Sequence, residues 1–274
     1  MLKAGKLLRL RRLSLAGDGR HLLIPLDHSV SDGPIVPADK WDGLILALVD
    51  GGADGIIVHK GRARALAPDI LKKCALVVHL SASTACAEDV NAKVLVADVE
   101  EALRLGADAV SVHVNIGSDT ESRQLADLGA VARSCEAWGM PLIAMIYPRG
   151  PRIENPRDPA LLSHLANVAA DLGADIVKTS VALPLERMAE VVANSPIPVL
   201  AAGGPPDDSD LVEYGTALMA AGCRGLAVGR RVFTSPSPYT TVSRLAAVVH
   251  GGHVGAQGMA LETTDYSTIV AGVA

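Results

Sequence analysis

The chain has 274 residues, and its 25 basic against 30 acidic side chains leave a formal charge of −5. No basic stripe is interleaved with aromatics, so nucleic acid is a poor partner, and no run of about 18 apolar residues occurs, so a membrane span is not expected. Hydrophobic residues make up 49% and aromatics only 3%, so a sizeable core must be filled by Val, Leu, Ile and Ala, which suits parallel strands covered by helices on both faces.

In chain order, residues 1–20 read as a basic, partly apolar extension. Arg9, Arg11 and Arg12 interrupt its apolar run, so it lacks the core of a signal peptide, and the cytoplasm is the default compartment. Eight short apolar runs then recur: 21–28, 55–61, 75–82, 109–115, 141–148, 176–180, 198–204 and 225–230. Each is aliphatic or β-branched and bounded by turn chemistry, as strands are. Helical patterns lie between them, most clearly at 98–106, 121–139 and 158–173, with Gly106, Gly139 and Gly173 where a helix C-cap needs positive φ. A Gly-Ala-Asp tripeptide recurs at 52–54, 106–108 and 173–175, each time just before a strand, and reads as a weak internal repeat of helix stop, turn and strand start.

Eight alternating β and α units predict one (β/α)8 barrel over residues 1–274, in the α/β class, with a tail at about 251–274 that caps the barrel or joins a subunit contact. The rival is a doubly wound open sheet, against which no GxGxxG follows the first strand. Cys74, Cys86, Cys135 and Cys223 have no metal-ligand spacing and read as small buried hydrophobes in a reducing compartment.

Active sites of such barrels gather at the C-terminal strand ends. Ile176, Lys178 and Ser180 share one face of their strand. If that face is inward, Lys178 sits in the mouth among apolar neighbours, where desolvation lowers a lysine's pKa and favours the neutral amine that attacks a carbonyl. Binding a phosphate or pairing with a carboxylate is the alternative. Tyr147, in phase with Ile143 and Met145, is either a general acid or base at the rim or a packing residue. Asp27, beside His28, Ser29 and Val30, either moves protons or caps the next helix.

Gly203 and Gly204, then Gly229 with Arg230 and Arg231, fall after the seventh and eighth strands. Backbone N–H groups, a helix N-terminus and an arginine there suit a phosphate monoester. His59, His79 and His113 near the ends of strands two to four suit either a metal or hydrogen-bonded structural roles. No neighbouring carboxylate completes a ligand set, so no metal is expected. Lys60 is the competitor for the role of nucleophile, in opposite phase to His59.

The segments GKLLRLRRL, PLDHSVSDGP, HKG, HLSAST, GADAVSVHVNIGS, WGMPLIAMIYPRG, GADIVKTS, AAGGP and AVGRRVF run in order over roughly residues 5–233. With them the chain resembles the archaeal-type class I aldolases, the group that includes archaeal fructose-bisphosphate aldolase and 2-amino-3,7-dideoxy-D-threo-hept-6-ulosonate synthase. The resemblance implies a Schiff-base lysine at Lys178, a proton donor at Tyr147 and an acid/base carboxylate at Asp27. It implies a substrate pocket from Asp27, His28, Ser29, Val30 and Ser31 with Tyr147, Pro148 and Arg149, and phosphate turns at Gly203, Gly204, Gly229 and Arg230. Val181 departs from the group, where several relatives carry Tyr, which touches the donor substrate and not the lysine.

Within the group DHSVSDGP, HVNIGS and WGMPLIAMIYPRG lie nearer the synthases than the sugar aldolases. The first expectation is condensation of dihydroxyacetone phosphate with L-aspartate 4-semialdehyde. Transaldolase-type synthesis of the aminodideoxyheptulosonate comes second and sugar-phosphate aldol cleavage third. A barrel that only senses a phosphorylated metabolite is the reading of a different class, and Lys178, Tyr147 and Asp27 together argue against it. No cofactor is implied, the partners are a phosphorylated ketone and an aldehyde, and relatives suggest a ring-type homo-oligomer.

Overall fold

A computed structural model describes residues 4–204 and 210–251. Most of the predicted tail, 252–274, lies outside the described residues. Helix α1 (Ala4–Arg12) leads into β1 (His21–Pro25), the one-turn helix α2 (His28–Ser31), α3 (Trp41–Asp50), β2 (Gly55–Val58), α4 (Lys60–Ala63) and β3 (Ala75–His79). A small antiparallel pair, β4 (Ser81–Ala82) with β5 (Val94–Leu95), precedes α5 (Val99–Arg104) and β6 (Ala109–Ile116). Then follow α6 (Glu121–Trp138), β7 (Leu142–Pro148), α7 (Pro159–Asp171), β8 (Ile176–Thr179), α8 (Met188–Ala193), β9 (Val199–Ala202), α9 (Leu211–Ala220), β10 (Gly225–Ala227), α10 (Arg230–Phe233) and α11 (Pro238–Val249).

The sheet closes on itself in the order β1-β2-β3-β6-β7-β8-β9-β10, every pair parallel, with His21 opposite Gly225 at the seam. Closure, which an open doubly wound sheet lacks, is the predicted barrel. Side chains alternate along each strand. One set (Leu23, Ile57, Val77, Ile143, Met145, Ile176, Leu200) fills the interior, and the other (Leu22, Ile56, Val78, Ala144, Val177, Leu226) packs under the helices. Burying each large aliphatic side chain contributes roughly 1.5–3 kcal/mol. The strands are hydrophobic on both faces because neither face meets water.

Helix ends carry the expected chemistry. Asp98 accepts from Glu101 N–H, and Asp158, placed before Pro159, accepts from Ala160 N–H. Gly106, Gly139 and Gly173 adopt positive φ as anticipated.

The Gly-Ala-Asp repeat does more than stop helices. Each aspartate clips the strand before it in the barrel: Asp54 accepts from Leu22 N–H at 2.6 Å, Asp108 from Leu76 N–H at 3.0 Å and Asp175 from Leu142 N–H at 2.8 Å. Each also meets a basic residue from a chain end, His250 for Asp54, Arg12 for Asp108 and Lys6 for Asp175. The segment anticipated only as an extension therefore covers the N-terminal end of the barrel, where Leu13 joins the interior cluster with no exposed surface.

Three cysteines are buried, whereas Cys86 is exposed, contrary to the uniform expectation. It sits on the 83–93 segment between β4 and β5, outside the layers that would cover it.

Candidate active site

Lys178 follows Ile176 on the inward face of β8, with Met145 and Leu200 as its register partners on either side. Both partners belong to the interior cluster, so the lysine rises from an apolar floor and is only 7% exposed. It lines two cavities at the C-terminal strand ends, one of about 280 Å³ and one of about 410 Å³. His28, Tyr147, Arg149 and Arg230 also border both.

The smaller cavity is lined by Gly203, Gly204, Gly229, Arg230 and Arg231, together with Ser180 and Arg157. Gly204 has φ +70, a conformation side chains rarely adopt. At Gly229 a Cβ would lie 2.6 Å from the carbonyl oxygen of Pro25 and 2.7 Å from His28 Cε1. These turns bring bare backbone to the cavity wall. Helix α10 behind them is a single turn, so the arginines supply most of the positive charge there.

The larger cavity is lined by Asp27, His28, Val30 and Ser31, and also by Asp32, His59, His79, His113 and the segment that carries Asn91 and Lys93. Asp27 precedes α2, yet its side chain makes no capping hydrogen bond. Its Oδ2 lies 3.8 Å from His79 Nε2 and its Oδ1 3.7 Å from His28 Nδ1. That Oδ1 is buried and has no hydrogen-bond donor. Burial opposes ionisation of Asp27, but His79, His28 and Lys178 outweigh it and hold the carboxyl well below the usual range. Burial also pushes His79 down to about 4, against the pull of Asp27, and lowers His28 and His59.

Tyr147 is 6% exposed and points inward from β7, its ring 5.0 Å from that of His113 and 4.6 Å from the Arg149 guanidinium. Pro148, the next residue, falls on the opposite face of the strand and borders neither cavity, which corrects its anticipated place in the pocket. Ser29 is likewise absent from both walls, because the turn of α2 carries it away while Val30 and Ser31 face in. Lys60, the rival nucleophile, starts α4 and pairs with Glu101 at 3.0 Å, off both cavities.

His79 Nδ1 contacts Ser111 Oγ at 2.8 Å and His113 Nε2 contacts Asn115 Oδ1 at 2.8 Å. Among the described residues no three His, Cys, Asp or Glu side chains group so as to hold a metal ion. Sequence reasoning missed Arg157, Lys93 and Asn91, since all three lie in segments without periodicity.

A recessed lysine between two polar cavities, one of them walled by glycine turns and arginines, can hold a phosphorylated carbonyl compound as an imine while a second molecule approaches. The arrangement defines an enzyme of carbon–carbon bond chemistry. The DeoC/LacD family aldolase model matches residues 21–235, and the chain belongs to that family as a class I aldolase. It is 49% identical, over 89% of each chain, to 2-amino-4,5-dihydroxy-6-oxo-7-(phosphonooxy)heptanoate synthase of Streptomyces griseus. It is 40% identical to 2-amino-3,7-dideoxy-D-threo-hept-6-ulosonate synthase 1 of Archaeoglobus fulgidus, over 88% of this chain and 90% of that one. Among solved structures, an archaeal fructose-1,6-bisphosphate aldolase with its catalytic Lys covalently bound to a carbinolamine intermediate superposes with TM-score 0.78 at 28% identity, covering 90% of this chain and 98% of the other.

Proposed function

We propose that this enzyme condenses dihydroxyacetone phosphate with L-aspartate 4-semialdehyde through a Schiff base on Lys178, giving 2-amino-4,5-dihydroxy-6-oxo-7-(phosphooxy)heptanoate for secondary metabolism. The observation that carries the reading is Lys178 itself, the buried amine shared by an arginine- and glycine-walled cavity and a larger one containing Asp27. The 49% identity to the Streptomyces griseus synthase supports the choice of substrates.

The phosphate of the donor lies in the smaller cavity, against the turns at Gly203, Gly204 and Gly229 and beside Arg230. The amine of Lys178 adds to the ketone carbon, and the carbinolamine loses water to give an iminium. Asp27, whose Oδ1 has no donor among the described residues, accepts a proton released near the amine. The iminium withdraws electrons from the adjacent hydroxymethyl carbon, so Asp27 or Tyr147 removes a proton from it and leaves an enamine. That carbon bonds to the aldehyde carbon, Tyr147 protonates the new alkoxide, and water hydrolyses the iminium to release product and amine. The iminium performs the electron withdrawal for which other aldolases use a metal. Binding energy at the phosphate is converted into orientation of the ketone.

No helix of the described residues is long and apolar enough to cross a membrane. The same reading takes the enzyme as a cytoplasmic homo-oligomer, a ring by its likeness to relatives, acting on small molecules and not on nucleic acid or membranes. Incubation with both substrates should yield the seven-carbon product by mass spectrometry. If borohydride with dihydroxyacetone phosphate puts the adduct on Lys60 instead of Lys178, the proposal fails.

A further inference from the structure

Three cations line the larger cavity: Arg149 just after β7 and Arg230 on α10, which border both cavities, and Lys93 just before β5, which borders the larger one alone. The Lys93 ammonium donates to Ser83 Oγ, and the Arg149 guanidinium lies over the ring of Tyr147. Neither pairs with a carboxylate among the described residues. Lys93 is partly buried, and both burial and the charge of Arg149 lower its pKa. The two charges also act together on His113, which burial and their fields hold well below its usual range. Cations brought together on one concave wall with no ion-pair partner form a receptor for an anion. Asp27 and Asp32 lie on the same cavity, and both, with Asp89, are near enough to act on Lys93.

We infer that Lys93 and Arg149 form a carboxylate subsite for the second substrate, with Asp32 facing that substrate's ammonium group, so that Lys93 selects an α-amino-acid aldehyde over a neutral one. The inference rests on the reaction proposed above and extends it. It gives Lys178 an anion pocket on each side: phosphate on the donor side, carboxylate on the acceptor side. A cationic side chain from the 83–93 segment thereby reads the end of the acceptor remote from its reacting carbon. A glycerol-type aldehyde phosphate also presents an anion, and the choice between carboxylate and phosphate is settled by comparing acceptors.

The experiment takes the full chain with Lys93→Met and Lys93→Arg and measures KM and kcat for L-aspartate 4-semialdehyde, butanal and glyceraldehyde 3-phosphate, with dihydroxyacetone phosphate as donor. The Met variant should raise KM for the semialdehyde about 10- to 100-fold, leave KM for the donor within about twofold, and erase the preference of the wild type over butanal; the Arg variant should restore most of it. Borohydride trapping of the donor alone reports an intact site in each variant, and Lys93→Gln replaces the Met variant if trapping is lost. An unchanged semialdehyde KM, or an equal rise in donor KM, overturns the subsite. A rise for glyceraldehyde 3-phosphate alone makes it a phosphate pocket and overturns the carboxylate assignment. Wild-type enzyme that makes no product from the semialdehyde sinks the reaction itself, a result distinct from a productive wild type whose Lys93 variants behave alike.

Discussion

Asp54 Oδ2 and His250 Nε2 lie 3.0 Å apart, although 196 residues separate them in the chain. The other ring nitrogen of His250 contacts Asp18 Oδ2 at 2.9 Å, so one imidazole ties the end of α11 to the loop before β1 and to the first Gly-Ala-Asp aspartate. Burial disfavours the charged ring, but Asp54 and Asp18 outweigh it and raise His250 to about 9.

A histidine raised in this way stabilises the fold while it is protonated. Its contribution is fully present below the unfolded value near 6.5, declines as pH rises, and is gone above about 9. The contribution is on the order of 3 kcal/mol. The other buried histidines are lowered and act in the opposite sense, so the readout is the difference between wild type and a His250→Gln protein in urea unfolding. That difference should be largest at pH 6 and close at pH 9.5; an equal difference at both would refute the linkage.

Lys178→Met should abolish turnover by at least about a thousandfold, because among the described residues the other amine bordering a cavity, Lys93, comes from the segment before β5 and not from a barrel strand. The fold should survive, since an apolar side chain of similar length replaces a buried amine on an apolar floor. Circular dichroism and a melting temperature within a few degrees of the wild type check the second half of the prediction.

Tyr147→Phe should lower kcat by about 10²- to 10⁴-fold, the range for removal of a general acid. KM for the donor should change little, because the phosphate turns are untouched. A variant with wild-type kcat would reduce Tyr147 to a packing residue.

Gly229→Ala places a methyl group against the Pro25 carbonyl and His28. The backbone there must shift, at a cost of about 1–3 kcal/mol. KM for dihydroxyacetone phosphate should rise at least about tenfold, and competitive inhibition by inorganic phosphate should weaken in parallel. Steady-state kinetics with phosphate as inhibitor reads both effects.

Much of the barrel was legible because its signals are local. Aliphatic runs between capped helices marked all eight strands, and the period of two along residues 176–180 correctly turned Lys178 inward with Ile176. The same period shows why Pro148 does not accompany Tyr147. The pocket residues on irregular chain were another matter: Ser29 turned away on α2, while Lys93, Asn91 and Arg157 came in from segments whose path no periodicity predicts.

The amino-acid sequence by itself determined the number of barrel strands, the inward phase of the lysine and tyrosine, and the glycine turns beside them, since each follows from residue type and short-range spacing. Tertiary structure alone decided which distant charges meet: Asp54 with His250, Lys6 with Asp175, and Lys93 with Arg149 on one wall. Electrostatic interactions depend on distance through space and on burial, and neither quantity exists until the barrel has closed.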